Sequence, residues 1–439
     1  MLYRLIKNKI AKNAGWLIGG HIAQMLISFI VSILTARYLG PDNYGLISYG
    51  TAYISFFTSF CTLGINAIIV KELINNRENE GKIMGTAIGL KAISSFLSAI
   101  TIVLLVFFID KGDPVAIKVV AICSLGLILK VTDVFTYWFQ SYLKSKITAI
   151  VGLIGYLVIS IYKVILIVTM QSVYWFAFST SLDYFLVGFI LWLIYKKQKG
   201  HKLVFSRFYA KKLLKSSWNF ILPSLMVSIY AQTDKFMLKQ MLGDSEVGFY
   251  ATAVALTNMW GFVMQAIIDS LNPSIMEDHK ANNREKYIQK NKLLYAIVFY
   301  VSMIVSLLYC LLSKPMIYIL YGEAYLPAYM PLCVITWYSA FSYLGVARNT
   351  WVVCENKQKY LIWLYISAAA TNIILNLILI PYAGVVGAAF ASLLAQVMSS
   401  IIAPCFIKSM RPNAILMFEA IILKGILPKK SKDTNNIDL

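Results

Sequence analysis

The stretch AGWLIGGHIAQMLISFIVSILTARYLGPDNYGLISYGTAYISFFTSFCTLGINAII, residues 14–69, decides the fold. It holds two apolar runs, 14–38 and 44–69, each long enough to cross a bilayer, which takes about 20 residues of helix. Only a short turn around Leu39-Gly40-Pro41-Asp42-Asn43-Tyr44-Gly45 joins them, with a glycine near each end to suit a tight reversal between antiparallel helices. Two crossings in immediate succession predict a polytopic membrane protein.

The rest of the chain repeats the pattern. Apolar runs follow at 83–109, 114–138, 147–169, 173–195, 217–241, 248–275, 293–313, 327–351, 359–380 and 384–407, which predicts twelve crossings in all. Continuous hydrophobicity at this length means helices, because barrel strands are about ten residues long and alternate. Composition agrees: 59% of the 439 residues are hydrophobic and 14% charged, against about 25% charged in a soluble domain. The first run follows Arg4, Lys7, Lys9 and Lys12 but has no small-residue cleavage site, so it reads as a retained helix.

Lysine and arginine number 40 against 20 acidic residues, a net charge of +20. On a soluble chain this would suggest nucleic acid. Here the basic residues sit in alternate short loops between apolar runs, and only Lys111 and Lys314 lie clearly in loops on the other side. That bias predicts cytoplasmic N- and C-termini and no nucleic-acid partner. The six cysteines are scattered, mostly inside the apolar runs, with no CxxC, so they read as small packing residues, not as a metal site or a disulfide framework.

The longest loop, 196–216, divides the runs six and six. It predicts an N-terminal lobe at 1–195, a basic amphipathic cytoplasmic linker at 196–216, a C-terminal lobe at 217–407 and a cytoplasmic tail at 408–439. In the linker Phe205, Phe208, Tyr209 and Leu213 recur at helical spacing among basic residues, as in a helix lying on an anionic leaflet. The tail carries the apolar run Ala414–Leu427, too short to span, which reads as interfacial. Residues 39–45 align without gaps on Leu242-Gly243-Asp244-Ser245-Glu246-Val247-Gly248, which favours duplication of a six-helix unit. An even number of crossings per unit relates the halves by an axis along the membrane normal.

Charges within the runs carry the functional reading. One at mid-bilayer costs about 2.5–3.5 kcal/mol on insertion scales and usually faces a protein interior or a wet cavity. Lys91 shares a helix face with Ser94, Ser95 and Ser98, and Lys130 with Asp133 and Tyr137. Both lysines lie roughly 12 Å in from the cytoplasmic end, at 1.5 Å per residue. Lys163 and Lys235 lie nearer outer ends. His21, Gln24, Ser28, Ser32 and Thr35 make a polar stripe on the first helix; Asn258, Gly261, Gln265 and Asp269 make one on the eighth. A cationic cavity lined by Lys91, Lys130, Lys163, Lys235, Ser94, Ser98, His21 and Gln24 accounts for these positions. Asp133, Asp183, Asp234 and Asp269 are then ion-coupling sites or structural partners. Lys130 with Asp133, or Lys163 with Asp183, can instead be neutralising pairs, and Lys235 can snorkel to the surface. Neither a P-loop, HExxH nor GxSxG occurs, so no catalytic residues and no cofactor are indicated.

Three segments carry a resemblance. Ala36-Arg37-Tyr38-Leu39-Gly40-Pro41-Asp42-Asn43-Tyr44-Gly45, Asp234-Lys235 before Leu242-Gly243, and Pro381-Tyr382-Ala383-Gly384-Val385-Val386-Gly387-Ala388-Ala389 resemble motifs of bacterial polysaccharide repeat-unit flippases of the O-antigen and capsule type. These belong to the multidrug/oligosaccharidyl-lipid/polysaccharide exporter superfamily. The resemblance implies an all-α transporter with two six-helix lobes in a V that alternates access through the bacterial cytoplasmic membrane. It implies a substrate, undecaprenyl-pyrophosphate-linked oligosaccharide, flipped between leaflets for surface polysaccharide synthesis. Membrane lipids, a polysaccharide polymerase and a chain-length regulator are its implied partners. A flippase for a related lipid-linked precursor and a drug or cation carrier are the nearest alternatives. A polytopic polymerase would need a larger outside loop, and an O-acyltransferase a placed histidine.

Overall fold

The computed structural model describes residues 2–425, and the side chains of all of these except 2–18, 21, 22, 218–220 and 223. Among the described residues the chain is helical with no strand. Helix α1 (Leu2–Thr62) contains the first crossing and most of the second, broken at Gly40, whose φ of 72° lies in the left-handed region that glycine adopts at least cost. Pro41 then opens the second arm, where a missing amide hydrogen is tolerated. The second crossing ends in α2 (Asn66–Asn75), and α3 (Glu80–Ile109) is the third. The fourth is interrupted: α4 (Pro114–Leu129), a 3₁₀ turn at Lys130–Asp133, then α5 (Val134–Ser141). Helices α6 (Ser145–Val168) and α7 (Val173–Lys197) complete the first half.

The second half opens with α8 (Arg207–Met241), and its eighth crossing is split into α9 (Asp244–Asn258) and α10 (Gly261–Lys280). Then come α11 (Arg284–Tyr321), α12 (Tyr329–Cys354) and α13 (Leu361–Val397), which is broken at Gly384 and so holds the last two crossings. A π-helical turn at Met398–Ile402 leads into α14 (Ala403–Phe406), and α15 (Arg411–Ile421) closes the described chain. Nine stretches among the described residues are long and apolar enough to cross a membrane, two of them, Ala23–Asn75 and Gln358–Phe406, being double crossings. With α8 this makes the twelve.

Packing shows the shape. Three apolar cores form. One joins both halves at the end bearing the 39–45 and 242–248 turns, with Tyr49, Tyr53 and Val120 meeting Leu238, Tyr250 and Tyr325. At the opposite end, where the 196–216 linker runs, each half has its own core: Phe135, Trp138 and Leu191 in one, Met264, Tyr295 and Trp351 in the other. The two lobes therefore share an interior at the hairpin face and separate toward the linker face, as a V.

Two local features differ from the sequence reading. Cys310 and Cys333 are joined by a disulfide between α11 and α12, with sulfurs 1.92 Å apart, while Cys61, Cys123, Cys354 and Cys405 are free. The pairing arises because these helices pack side by side, a proximity that their separation of 23 residues does not signal.

The linker, second, is not one continuous helix. Residues 200–206 have no regular structure and lie along α3, where Val204 N donates to Gly81 O at 3.1 Å and Ser206 N to Thr86 Oγ1 at 2.9 Å. Gly81 and Gly85 admit the strap: a Cβ at either would fall on main-chain atoms of Lys202 or Val204. His201 Nδ1 sits 2.6 Å from Glu80 Oε1. Helix begins only at Arg207, so Phe205 and Phe208 stay exposed while Tyr209 and Leu213 enter the first lobe's core. Lys212 Nζ, 2.6 Å from Glu72 Oε2, fixes the same turn.

Candidate functional site

The 3₁₀ turn in the fourth crossing places the charged residues of the first lobe. Lys91 is 2% exposed on α3, and its ammonium lies 5.1 Å from the Tyr137 ring centroid. Lys130, at the start of the turn, lies 5.2 Å from the ring of Tyr184 on α7. Both distances suit cation–π attraction, which strengthens where water is excluded. Asp133 is the charged neighbour of both lysines, and Asp183 is a charged neighbour of both Asp133 and Lys163. Among the described residues no carboxylate comes within 4.0 Å of Lys91, Lys130, Lys163 or Lys235. These are electrostatic neighbours, not locked pairs.

The structure brings Lys163 to the wall shared by two adjoining cavities of about 210 and 230 Å³. Thr51, Tyr156 and Thr180 line both; Ser28, Ser32 and Thr35 of the first-helix stripe line one, and Asp183 and Tyr184 the other. Tyr184 thus links the Lys130 neighbourhood to the Lys163 cavity. Gln24 packs beside Gly152 on α6, where a Cβ would come 2.7 Å from Gln24 Nε2. The side chain of His21 lies outside the described residues. Ser94 Oγ donates to Phe60 O at 2.8 Å, which ties α3 to α1, and Ser98 is buried.

Lys235 is in a different place, on a cavity of about 240 Å³ in the second lobe, lined also by Tyr230, Asn258, Tyr338 and Ser392. Asp234 reaches this cavity at 2% exposure. Its Oδ1 accepts from Asn372 Nδ2 at 2.9 Å and Asn376 Nδ2 at 2.6 Å, and its Oδ2 from the hydroxyls of Ser392 and Tyr250. Asp269 is exposed on α10 and accepts from Gln265 Nε2 at 2.9 Å. The four aspartates thus differ: two belong to the lysine cluster, one is held by four donors, and one is open.

Sequence reasoning missed three participants. Asn372 and Asn376 stand one helical turn apart on the eleventh crossing, a signal that polar spacing could have supplied. Arg348, 2% exposed on α12, has no carboxylate partner among the described residues; its Nη1 donates to Ser399 O at 2.9 Å and Ser400 O at 3.4 Å. Those carbonyls belong to the π-helical turn, whose altered hydrogen-bond ladder makes them available.

At the hairpin face the two copies of the repeat meet each other. Gly40 and Gly243 both take positive φ, 72° and 113°. The second glycines do something else. A Cβ on Gly45 would fall on the Asp244 carbonyl oxygen and 2.8 Å from Gly248 N, and one on Gly248 would fall on the Pro41 carbonyl oxygen. Pro41 and Asp244 occupy equivalent positions in the repeat, as do Asp42 and Ser245, which are hydrogen bonded to each other. This reciprocal contact closes the V at that end.

Residues 10–279 match the family described as "Polysaccharide biosynthesis protein". No curated protein matches the chain. Among solved structures, the chain resembles an inward-facing multidrug resistance MATE family transporter of the MOP superfamily, with TM-score 0.72 and 16% identity over 90% of this chain and 96% of that one. It resembles the lipid II flippase MurJ in an inward closed conformation at TM-score 0.69 and 16% identity, covering 92% of each chain. A MOP superfamily transporter from Pyrococcus furiosus, whose binding pocket is described as reversed in polarity, matches at TM-score 0.61 and 13% identity, over 94% of this chain and 96% of that one. At these identities the likeness is one of fold.

Proposed function

The chain belongs to the polysaccharide biosynthesis protein family, and from that premise we propose that it is a transporter of the MOP superfamily that flips undecaprenyl-pyrophosphate-linked oligosaccharide repeat units across the bacterial cytoplasmic membrane. The linker face, with the basic loops, is the cytoplasmic one. The observation that carries this reading is the lysine cluster of the first lobe: Lys91 is buried and Lys130 and Lys163 are half-buried at membrane depth, without a carboxylate in contact among the described residues, beside cavities lined by hydroxyls. Such an arrangement favours a polyanionic headgroup such as a pyrophosphate, and hydroxyl walls suit sugar. The polyprenyl tail stays in lipid beside the lobes, and the headgroup crosses as the V closes at one face and opens at the other. Surface polysaccharide of the O-antigen or capsule type is the product served, with polymerase and chain-length regulator acting downstream.

The test is a strain lacking the protein. Lipid-linked repeat units should accumulate on the cytoplasmic side of its membrane; accumulation on the outer side would instead place the protein after translocation, as a polymerase is, and would sink the proposal.

Asp234 supplies the coupling in this scheme. Four neutral donors converge on one carboxylate with no arginine or lysine in contact among the described residues, a nest on the wall of a cavity from which a small cation or proton could reach it. In proteoliposomes the native protein should speed up under a sodium or proton gradient, and Asp234→Asn should lose that response while still exchanging substrate at the basal rate. A purely structural Asp234 would give a lowered melting temperature with the gradient response retained.

A further inference from the structure

Each half of the molecule ends in a segment that folds back on the third crossing of its own half. After the sixth crossing the linker strap lies along α3; after the twelfth, α15 packs on α11, which is the equivalent helix. α15 is seated by Asn413 Nδ2 donating to Tyr295 OH at 2.7 Å, by Tyr300 OH donating to Ile421 O at 2.6 Å and by a Lys292–Glu419 ion pair at 2.6 Å. Those bonds use one face. The other carries Ile415, Phe418 and Ile422, which are 56%, 47% and 67% exposed at helical spacing. The strap shows the same chemistry: Val204, Phe205 and Phe208 are 51%, 52% and 69% exposed.

Basic side chains flank both patches. Lys202, Arg207 and Lys211 are exposed beside the strap, and Lys408, Arg411 and Lys424 beside α15. Large apolar groups facing outward are unsuited to water, and flanking ammonium and guanidinium groups are unsuited to hydrocarbon. The boundary between the two, at the level of the lipid headgroups, satisfies both. We infer that the strap and α15 are a pair of interfacial anchors, one per lobe, that dock on anionic phospholipid at the rim of the linker face. A single membrane surface meets both patches at once, whereas a protein partner would have to be supplied twice, at two separate places on the rim. The anchors hold the mouth of each lobe at a set depth while the lobes rock. This reading does not depend on which substrate is carried.

The test uses the full chain in vesicles of equimolar phosphatidylglycerol and phosphatidylcholine, with Phe208→benzoylphenylalanine or Phe418→benzoylphenylalanine as a photoreactive probe and Leu311, 70% exposed on α11, as the control site. Mass analysis should find phospholipid adducts at both positions, with about fivefold preference for phosphatidylglycerol, the equivalent of one basic contact. Lys202→Gln, Arg207→Gln and Lys211→Gln together should abolish the preference at position 208, leave it at 418, and keep the lipid adduct itself. Equal yields of the two lipids, cross-links to a second copy of the chain, or no adduct where Leu311 reacts would each overturn the assignment.

Discussion

Replacing Gly45 by leucine should hold the hairpin face open and reduce transport at least 100-fold. The new side chain must occupy space held by the Asp244 carbonyl and the Gly248 amide, main-chain atoms at the start of α9 that cannot rotate aside. The only relief is to separate the second arm of α1 from α9, which is the movement that opens this end of the V. Carrying a two-state equilibrium from 1:99 to 99:1 takes about 5.5 kcal/mol, and overlap with backbone on this scale is of that order. The conformation can be read directly with Asp42→Cys and Ser245→Cys, whose parent side chains are hydrogen bonded across the gate. Oxidation should cross-link them efficiently in the otherwise native chain and poorly when Gly45→Leu is added. Gly248→Leu should behave the same way, because the contact is reciprocal. Full cross-linking in either glycine variant would show that the turns do not form the gate.

The second large effect concerns the lysines. Lys91→Ala with Lys130→Ala should lower polysaccharide export about 100-fold at normal protein level. A pair of unit charges 4 Å apart is worth about 4 kcal/mol at an effective dielectric of 20, before desolvation is subtracted. Two such contacts, heavily discounted, still leave a few kcal/mol for a pyrophosphate. Adding Asp133→Asn decides between roles. If the lysines serve only to neutralise Asp133, the triple variant is charge-balanced and export should return. If they attract the substrate, export stays low although the fold is no less stable, since removing buried charges lightens their desolvation cost. Recovery of export in the triple variant would remove the lysines from the substrate path.

Much of this architecture is legible from periodicity alone. All twelve apolar runs correspond to crossings, because in a bilayer the backbone must bond to itself and hydrophobic length leaves few options. The alignment of residues 39–45 on 242–248 marked the places where the halves touch, though not how. Glycine at Gly40 answers a backbone angle, whereas Gly45 answers a neighbour 203 positions away. A sequence shows the first kind of need and hides the second. The same limit explains Cys310–Cys333 and the Asp234 nest, in which a carboxylate on α8 takes its donors from α9 and α13. It also explains the linker, where helical spacing from Phe205 was visible but the Gly81–Gly85 groove that claims the strap was not.

Helix α8 has a mechanical consequence. Its first turns are bolted to one lobe through Tyr209, Leu213 and Lys212, and Asp234 and Leu238 fasten its far end to the other. A rod of 35 residues, about 52 Å long, is thus a crankshaft clamped at both ends. Any rocking of one body against the other has to flex the length of helix between those two clamps. The stroke of the machine is then set less by what passes through it than by how far that one shaft will yield.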